Sequence, residues 1–438
     1  MLFSSPTRRQ LLQIGALSLW GGPAMADRGS GNRLGTAQHG ILIFLQGGPS
    51  QLDMWDPKPA AAAEVRGPFT PIDTAVPGLQ LTNLLPMTAR IADKISVVRS
   101  MSHNFNNHIA GTYVMLTGSA VQPNADREAA QHDAPGPGAI LNYLRRETAG
   151  MPTAVSLPNW LSIPGPSNRM PGQYAGYLGS TFDPFLIQGE PHQPEFKPLS
   201  LTLPGEVPLA RFESRTQLLG QIDAATRLLE AKGTRSRDRL YESAVDLLVN
   251  PKFRDALDLS REPATVRERY GMTKIGQSLL LARRLVEAGV TWVAFNEFNQ
   301  HWDIHGAIEA SKKNRVPPVD RAYSALVEDL DQRGLLDSTI VINTGEFGRT
   351  PVINKDAGRD HWPDVYSLAI CGGGIQRGLV YGASDQRGAY PAANPVSPAD
   401  LLATVWTCLG VDPESEIQDR LQRPFRVSTG HVVEGLLV

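Results

Sequence analysis

The chain has little cysteine, no block of like charge and no long apolar run beyond its first residues. Two cysteines in 438 residues are too few for a disulfide framework, even in an oxidising compartment. Cys371 and Cys408 are expected to be free buried thiols, a single bridge between them being the lesser alternative. Lysine and arginine number 42 against 44 aspartates and glutamates, a net charge of -2. With no basic cluster, neither nucleic acid nor an anionic membrane surface is an implied partner, and a small molecule is. After the N-terminus no stretch is apolar for the length that crosses a bilayer, so no transmembrane segment is expected. Internal repeats and low-complexity tracts are absent too. What the sequence has in quantity is glycine, 41 residues, and proline, 34. With an ordinary apolar share, they describe a globular fold with many ordered loops.

The first residues read as an address. Arg8-Arg9 precede a moderately apolar run from Leu11 to Trp20, and Ala24-Met25-Ala26 supplies small residues for cleavage. Residues 1–26 are therefore expected to be a twin-arginine export signal, the alternative being an amphipathic N-terminal helix. The mature chain, 27–438, is then expected in a bacterial periplasm or outside the cell. Its length suits one α/β core with an insertion.

Ile41–Leu45 is a continuous apolar run closed by Gly47-Gly48-Pro49, as in a strand buried on both faces. Further strands are expected at Ile95–Val98, Val290–Phe295, Thr339–Asn343 and Tyr366–Ile370, and helices at about Gln277–Ala288, Asp320–Arg333 and Pro398–Leu409. Such alternation implies parallel pairing with crossover helices. Asn107 can cap a helix that Gly118 ends, with His108 at its start, where backbone N–H groups favour an anion. Asp53 and Asp56 are expected to be solvated turn formers, the alternative being that they face the site. Composition shifts between about 158 and 263, where aromatics such as Trp160, Tyr174 and Phe182 precede charged helical segments. We read this span as a cap.

The chemistry is concentrated between His301 and His361. Three loops there, each following an apolar run, carry Asp303-Ile-His305, Glu346-Phe-Gly-Arg349 and Asp360-His361. In open α/β sheets ligands bind at the carboxyl ends of strands. Mixed imidazole and carboxylate donors suit zinc first, then manganese or iron, whereas calcium and magnesium sites are built from oxygen. Three protein ligands leave a position for substrate, the catalytic pattern. The alternative is a buried polar network that needs no metal.

These residues carry a resemblance. Trp302-Asp303-Ile-His305-Gly306, Gly345-Glu346-Phe-Gly-Arg349-Thr-Pro351, Gly358-Arg-Asp360-His361-Trp362, Gln46-Gly-Gly-Pro-Ser-Gln-Leu-Asp53 and the twin-arginine start resemble family 1501 of the domains of unknown function. That family is similar to the alkaline phosphatase and sulfatase superfamily, which implies a three-layer α/β/α sandwich with a largely parallel sheet. It also implies a metal held by Asp303, His305 and His361, with Glu346 and Asp360 as further candidates. His301 would stand behind the ligands. The match is incomplete. Where the superfamily has second-metal ligands this chain has Gln46 and Glu346-Phe347, and where sulfatases have their nucleophile it has His108. The implied activity is exported, metal-dependent hydrolysis of phosphate or sulfate esters, with water or a displaced side chain as nucleophile. Glu346 would act as ligand or base, and Arg349 or His108 would receive the anion; Arg349 could equally pair with Glu346 or a nearby backbone carbonyl. The alternative is a catalytically degenerate binding or scaffold protein.

Overall fold

The computed structural model describes residues 35–119, 127–145, 150–162, 169–196, 250–297 and 300–438. The expected export signal and much of the expected cap, 163–168 and 197–249, lie outside the described residues.

In chain order the elements used below are β1 (His39–Phe44), β2 (Ser96–Met101), α1 (His108–Thr117), α2 (Pro137–Leu144), β3 (Ala154–Leu157), β4 (Phe185–Leu186), α3 (Pro251–Leu257), α4 (Lys274–Ala288), β5 (Trp292–Asn296), α5 (Ile308–Gln332), β6 (Thr339–Thr344), β7 (Gly348–Arg349), β8 (His361–Trp362), β9 (Tyr366–Cys371), β10 (Val380–Tyr381) and α6 (Pro398–Cys408). Eight strands make the central sheet in the order β10-β2-β9-β6-β1-β5-β3-β4. All neighbours pair in parallel except β9, which runs against both β6 and β2. The sheet is thus largely parallel, as expected, but the expectation of parallel pairing fails at Tyr366–Cys371. A strand buried on both faces has the same apolar composition in either direction. The reversal matters for the site. It brings the residues just before β9, including His361, to the end of the sheet where the parallel strands finish.

Side-chain alternation along each strand builds two cores. Ile41 and Ile43 of β1 pack under α4 and α5 with Val293 and Val341. Leu42 and Phe44 pack on the opposite face with Ile340, Ile342 and residues of α1, α2 and α6. Helices on both faces make the three-layer α/β sandwich.

Local signals explain most boundaries. Asn107 accepts a hydrogen bond from Ala110 N–H (2.8 Å), and Gly118 ends α1 at φ +66° in the left-handed region. Gly289 ends α4 in the same way. Ser397 and Asp400 form a reciprocal capping box at the start of α6. α5 begins twelve residues before the expected Asp320, at Ile308, and contains Pro317 and Pro318. Those prolines withhold N–H donors from the carbonyls one turn back, but these belong to exposed Lys313 and Asn314, where water substitutes. Of the described ends of the 158–263 span, β4 joins the sheet edge and α3 packs on α4. Cys371 and Cys408 are free and buried, and burial pushes both thiols up to about 12.

Candidate metal centre

The site lies where β1, β5 and β6 end. The chain leaves β1 into Gln46-Gly47-Gly48, and Gly47 adopts φ +114°; a Cβ there would stand 2.4 Å from the backbone nitrogen of Asp303. Glycine thus lets the loop after β5 lie directly against the end of β1, and Trp302 N–H donates to Gln46 O at 3.0 Å. From β6 the chain enters Gly345-Glu346-Phe347, then the hairpin of β7 and β8, in which Arg349 faces His361. α1 points its first residue, His108, at the same spot.

Four side chains converge. Asp303 Oδ1 lies 2.9 Å from His305 Nε2 and 3.1 Å from His361 Nε2, and these two nitrogens are 3.2 Å apart. His108 Nε2 lies 3.3 Å from Asp303 Oδ2. Donor atoms of His108, Asp303 and His361 fall within 4.8 Å of one another. The other nitrogen of each imidazole is occupied. His305 Nδ1 meets Asp360 Oδ1 at 2.7 Å, His361 Nδ1 meets the carbonyl of Asn106 at 2.7 Å, and His108 Nδ1 meets Glu346 Oε1 at 2.6 Å. Carbonyl and carboxylate oxygens only accept, so each Nδ1 carries the proton. In the neutral rings the three Nε2 lone pairs then face one another and the Asp303 carboxylate. A cation or extra protons must separate them.

The electrostatics agree. Burial disfavours charge on His108, but bonds to Asp303 and Glu346 outweigh it and raise the imidazole to about 9. Burial would likewise raise Asp303, yet His108, His361 and Arg349 hold its carboxyl well below the usual range. His108 Nε2 is buried, and its near partner among the described residues is Asp303 Oδ2 at 3.3 Å, out of line for a good hydrogen bond. A buried nitrogen beside two more imidazoles and an ionised carboxylate fits a divalent transition ion.

The expected residues take distinct places. Asp303, His305 and His361 come together. Glu346, fully buried, accepts from Gly47 N–H at 2.8 Å and from His108, which puts it behind that imidazole. Asp360 likewise lies behind His305, with Asn354 Nδ2 donating to it at 3.1 Å. Arg349 is 1 % exposed and donates to Gly48 O (2.9 Å), Arg359 O (3.1 Å), Gly47 O and Asp303 Oδ1 (2.6 Å). Its donors are committed to carbonyls and to Asp303, the arrangement of the backbone-carbonyl alternative. His301 stands outside the cluster, edge-on to Trp302. His103, which precedes α1, donates to Glu346 O (2.6 Å), and burial drives it down to about 4.

Gln46 and Phe347 bring no carboxylate or imidazole to the cluster. Gln46 is buried, its amide donating to Ser162 O at 2.6 Å. Phe347 packs its ring 5.0 Å from His108 and 4.7 Å from His361, and Gly111 makes room, since a Cβ there would meet the ring at 2.9 Å. The expectation for Asp53 and Asp56 is overturned. Asp53 is fully buried in an ion pair with Arg359 (3.1 Å), and Asp56 is 1 % exposed and bonded to Lys58 (3.0 Å) and Ser384. The sequence reading also missed Asn106 as an acceptor; its place one residue before the N-cap was the available signal. An apolar groove of about 680 Å³ between Ala307, Ile308, Lys313 and Ile353 is lined by no member of the histidine cluster.

Among the described residues no helix is long and apolar enough to cross a membrane. The structure is similar to Ps i-CgsB, solved in complex with k-i-k-neocarrahexaose, at TM-score 0.41 and 11% identity over 86% of this chain and 72% of that one. It is similar to the PsFucS1 sulfatase from Pseudoalteromonas sp. at 0.41 and 13% over 86% and 68%, and to the phosphonate monoester hydrolase SpPMH from Silicibacter pomeroyi at 0.38 and 13% over 92% and 76%. No curated protein matches the sequence. The model of a family described as a protein of unknown function, DUF1501, matches residues 37–437, and the chain belongs to that family.

Proposed function

We propose that the chain is an exported, metal-dependent hydrolase of phosphate or sulfate esters, with Asp303, His305 and His361 holding a divalent transition ion, zinc before manganese or iron. One observation carries the metal: Nε2 of His305, Nε2 of His361 and Oδ1 of Asp303 face one another at 2.9–3.2 Å, with the Nδ1 proton of each ring already given to Asp360 or Asn106. Export rests on Arg8-Arg9 and the residues that follow them. An ion in this position polarises an ester oxygen and lowers the pKa of water.

The chain's own residues supply the rest. Asp303 stays ionised throughout the neutral range. Arg349 fixes it against the ends of β1 and β5, and Phe347 excludes water from the rear of His108 and His361. The open side is that of His305 and Asp360, whose side chains are 46% and 54% exposed. The ester is taken to approach there, with water as nucleophile, since position 108 offers no hydroxyl or thiol.

A second reading has specific support. Gln46 and Phe347 remove donors from the second metal half, which suits a protein that binds an anionic ester without cleaving it. The test is metal content of protein purified without chelator, followed by a panel of phosphate, phosphonate and sulfate esters, on wild type, Asp303→Ala and His361→Ala. Bound transition metal and turnover of at least one ester, both lost in the variants, are expected. Metal retained with no turnover on any ester moves the conclusion to binding. A metal-free wild type that tolerates both substitutions overturns the proposal.

A further inference from the structure

We infer that His108 is a fourth protein ligand to this ion, and that Glu346 is the acceptor that holds it in the ligating tautomer. The assignment rests on the metal centre proposed above and goes further, since it turns the position of a nucleophile into one of attachment.

Four observations support it. His108 Nε2 is buried and makes no well-aligned hydrogen bond among the described residues, so it is turned toward the carboxylate assigned to the ion without being committed to it. That nitrogen lies 3.3 Å from Asp303 Oδ2 and belongs to the set of donor atoms within 4.8 Å. Its Nδ1–H is given to Glu346 Oε1 at 2.6 Å, and Glu346 is locked in turn by Gly47 N–H at 2.8 Å and 3.0 Å. Such a carboxylate–imidazole pair is the usual arrangement behind a metal-bound histidine. Finally, the ring cannot swing away. The Asn107 cap fixes the start of α1, and the rings of Phe347 and His361 lie 5.0 Å and 4.4 Å from it.

The consequences concern chemistry and choice of metal. Three imidazoles and one carboxylate favour a borderline transition ion and disfavour magnesium or calcium. A histidine bound through Nε2 has no lone pair left for attack. No covalent adduct on residue 108 is formed, and with four protein ligands substrate would reach the ion only as a fifth, past His305 rather than past α1.

The experiment titrates cobalt(II) into metal-free full-length mature protein and follows the visible bands, with zinc affinity measured by competition. It compares wild type, His108→Ala, Glu346→Gln and Asp303→Ala, and counts imidazoles in the wild type by X-ray absorption. Three imidazoles are expected in the wild type. His108→Ala should lose at least 100-fold in zinc affinity with altered cobalt bands, restored in part by added imidazole. Glu346→Gln should lose about 10–100-fold. Two imidazoles in the wild type, with His108→Ala unchanged in affinity and spectrum while Asp303→Ala binds nothing, overturn this assignment and leave the metal centre standing. A wild type that binds neither ion overturns both. The imidazole count is independent of whether any variant folds.

Discussion

Two clusters of buried charge in this molecule differ in one respect. Around Arg283, which is 1 % exposed, the guanidinium meets Glu262 at 2.9 Å, Asp329 at 3.0 Å and Glu287 at 2.7 Å, and Tyr270 O–H donates to Asp329 at 2.9 Å. Positive faces negative throughout. Around Asp303, three imidazoles turn nitrogens toward one carboxylate and one another, with Arg349 the single permanent cation in contact with it among the described residues. The first cluster gives each acid at least one guanidinium, Arg284 and Arg333 adding to Arg283, and ties α4 to α5. The second is short of positive charge, and that distinguishes a binding site from a structural network.

The comparison breaks most sharply at Asp303. Asp303→Asn should abolish bound metal and remove the drop in melting temperature that a chelator causes in the wild type, read by elemental analysis and calorimetry. A wild type whose melting ignores chelator would make the two clusters alike. Next in size is Arg283→Met, which takes the buried guanidinium from Glu262 and Asp329 but leaves them Arg284 and Arg333, and should cost about 1.5–3 kcal/mol in denaturant unfolding. Metal content should not change; a loss there would mean that the clusters are coupled.

A smaller effect is expected at Lys312, a wholly buried amine whose Nζ lies 5.1 Å from the centre of the Trp302 ring and has no hydrogen-bond partner. Burial lowers it to about 7 against 10.5 for an ordinary lysine. Between those values the unfolded chain binds the proton that the folded chain releases, so stability rises with pH across that window. The penalty is complete below about 7 and vanishes above the ordinary value. Lys312→Met should therefore stabilise by about 1–2 kcal/mol at pH 6 and by little at pH 10, seen in paired denaturant curves. The smallest effect is that of Asp360→Asn. Its carboxylate is exposed, so zinc affinity should fall only about tenfold, the low end for a partner behind a ligating histidine. A loss as large as that of Asp303→Asn would make Asp360 itself a ligand.

Much of this was legible in the residues. Apolar runs such as Ile41–Leu45 gave the strands, because a strand buried on both faces can hold little else. Asn107 and Gly118 marked both ends of α1, since capping is local chemistry. The Asp303 and His305 motif was readable because it follows a strand, whereas His361 lies in the hairpin ahead of β9 and was readable from its Asp-His pairing alone. What stayed hidden depends on distant partners. Asp53 reads as a turn former until Arg359 is seen beside it, and Glu346 reads as a ligand or base until His108 is found in between. Pro317-Pro318 concealed the first half of α5, which tolerates them because water reaches the carbonyls they leave bare. The direction of β9 has no signature in composition at all.

Arg349 has one more consequence. Its guanidinium grips Gly47, Gly48, Asp303 and Arg359 at once, so the three loops around the site share a single fastener. No wall of the site can breathe by itself. Amide hydrogens of residues 47, 303 and 361 should exchange with solvent in one concerted opening, and the ion should come and go on that same clock.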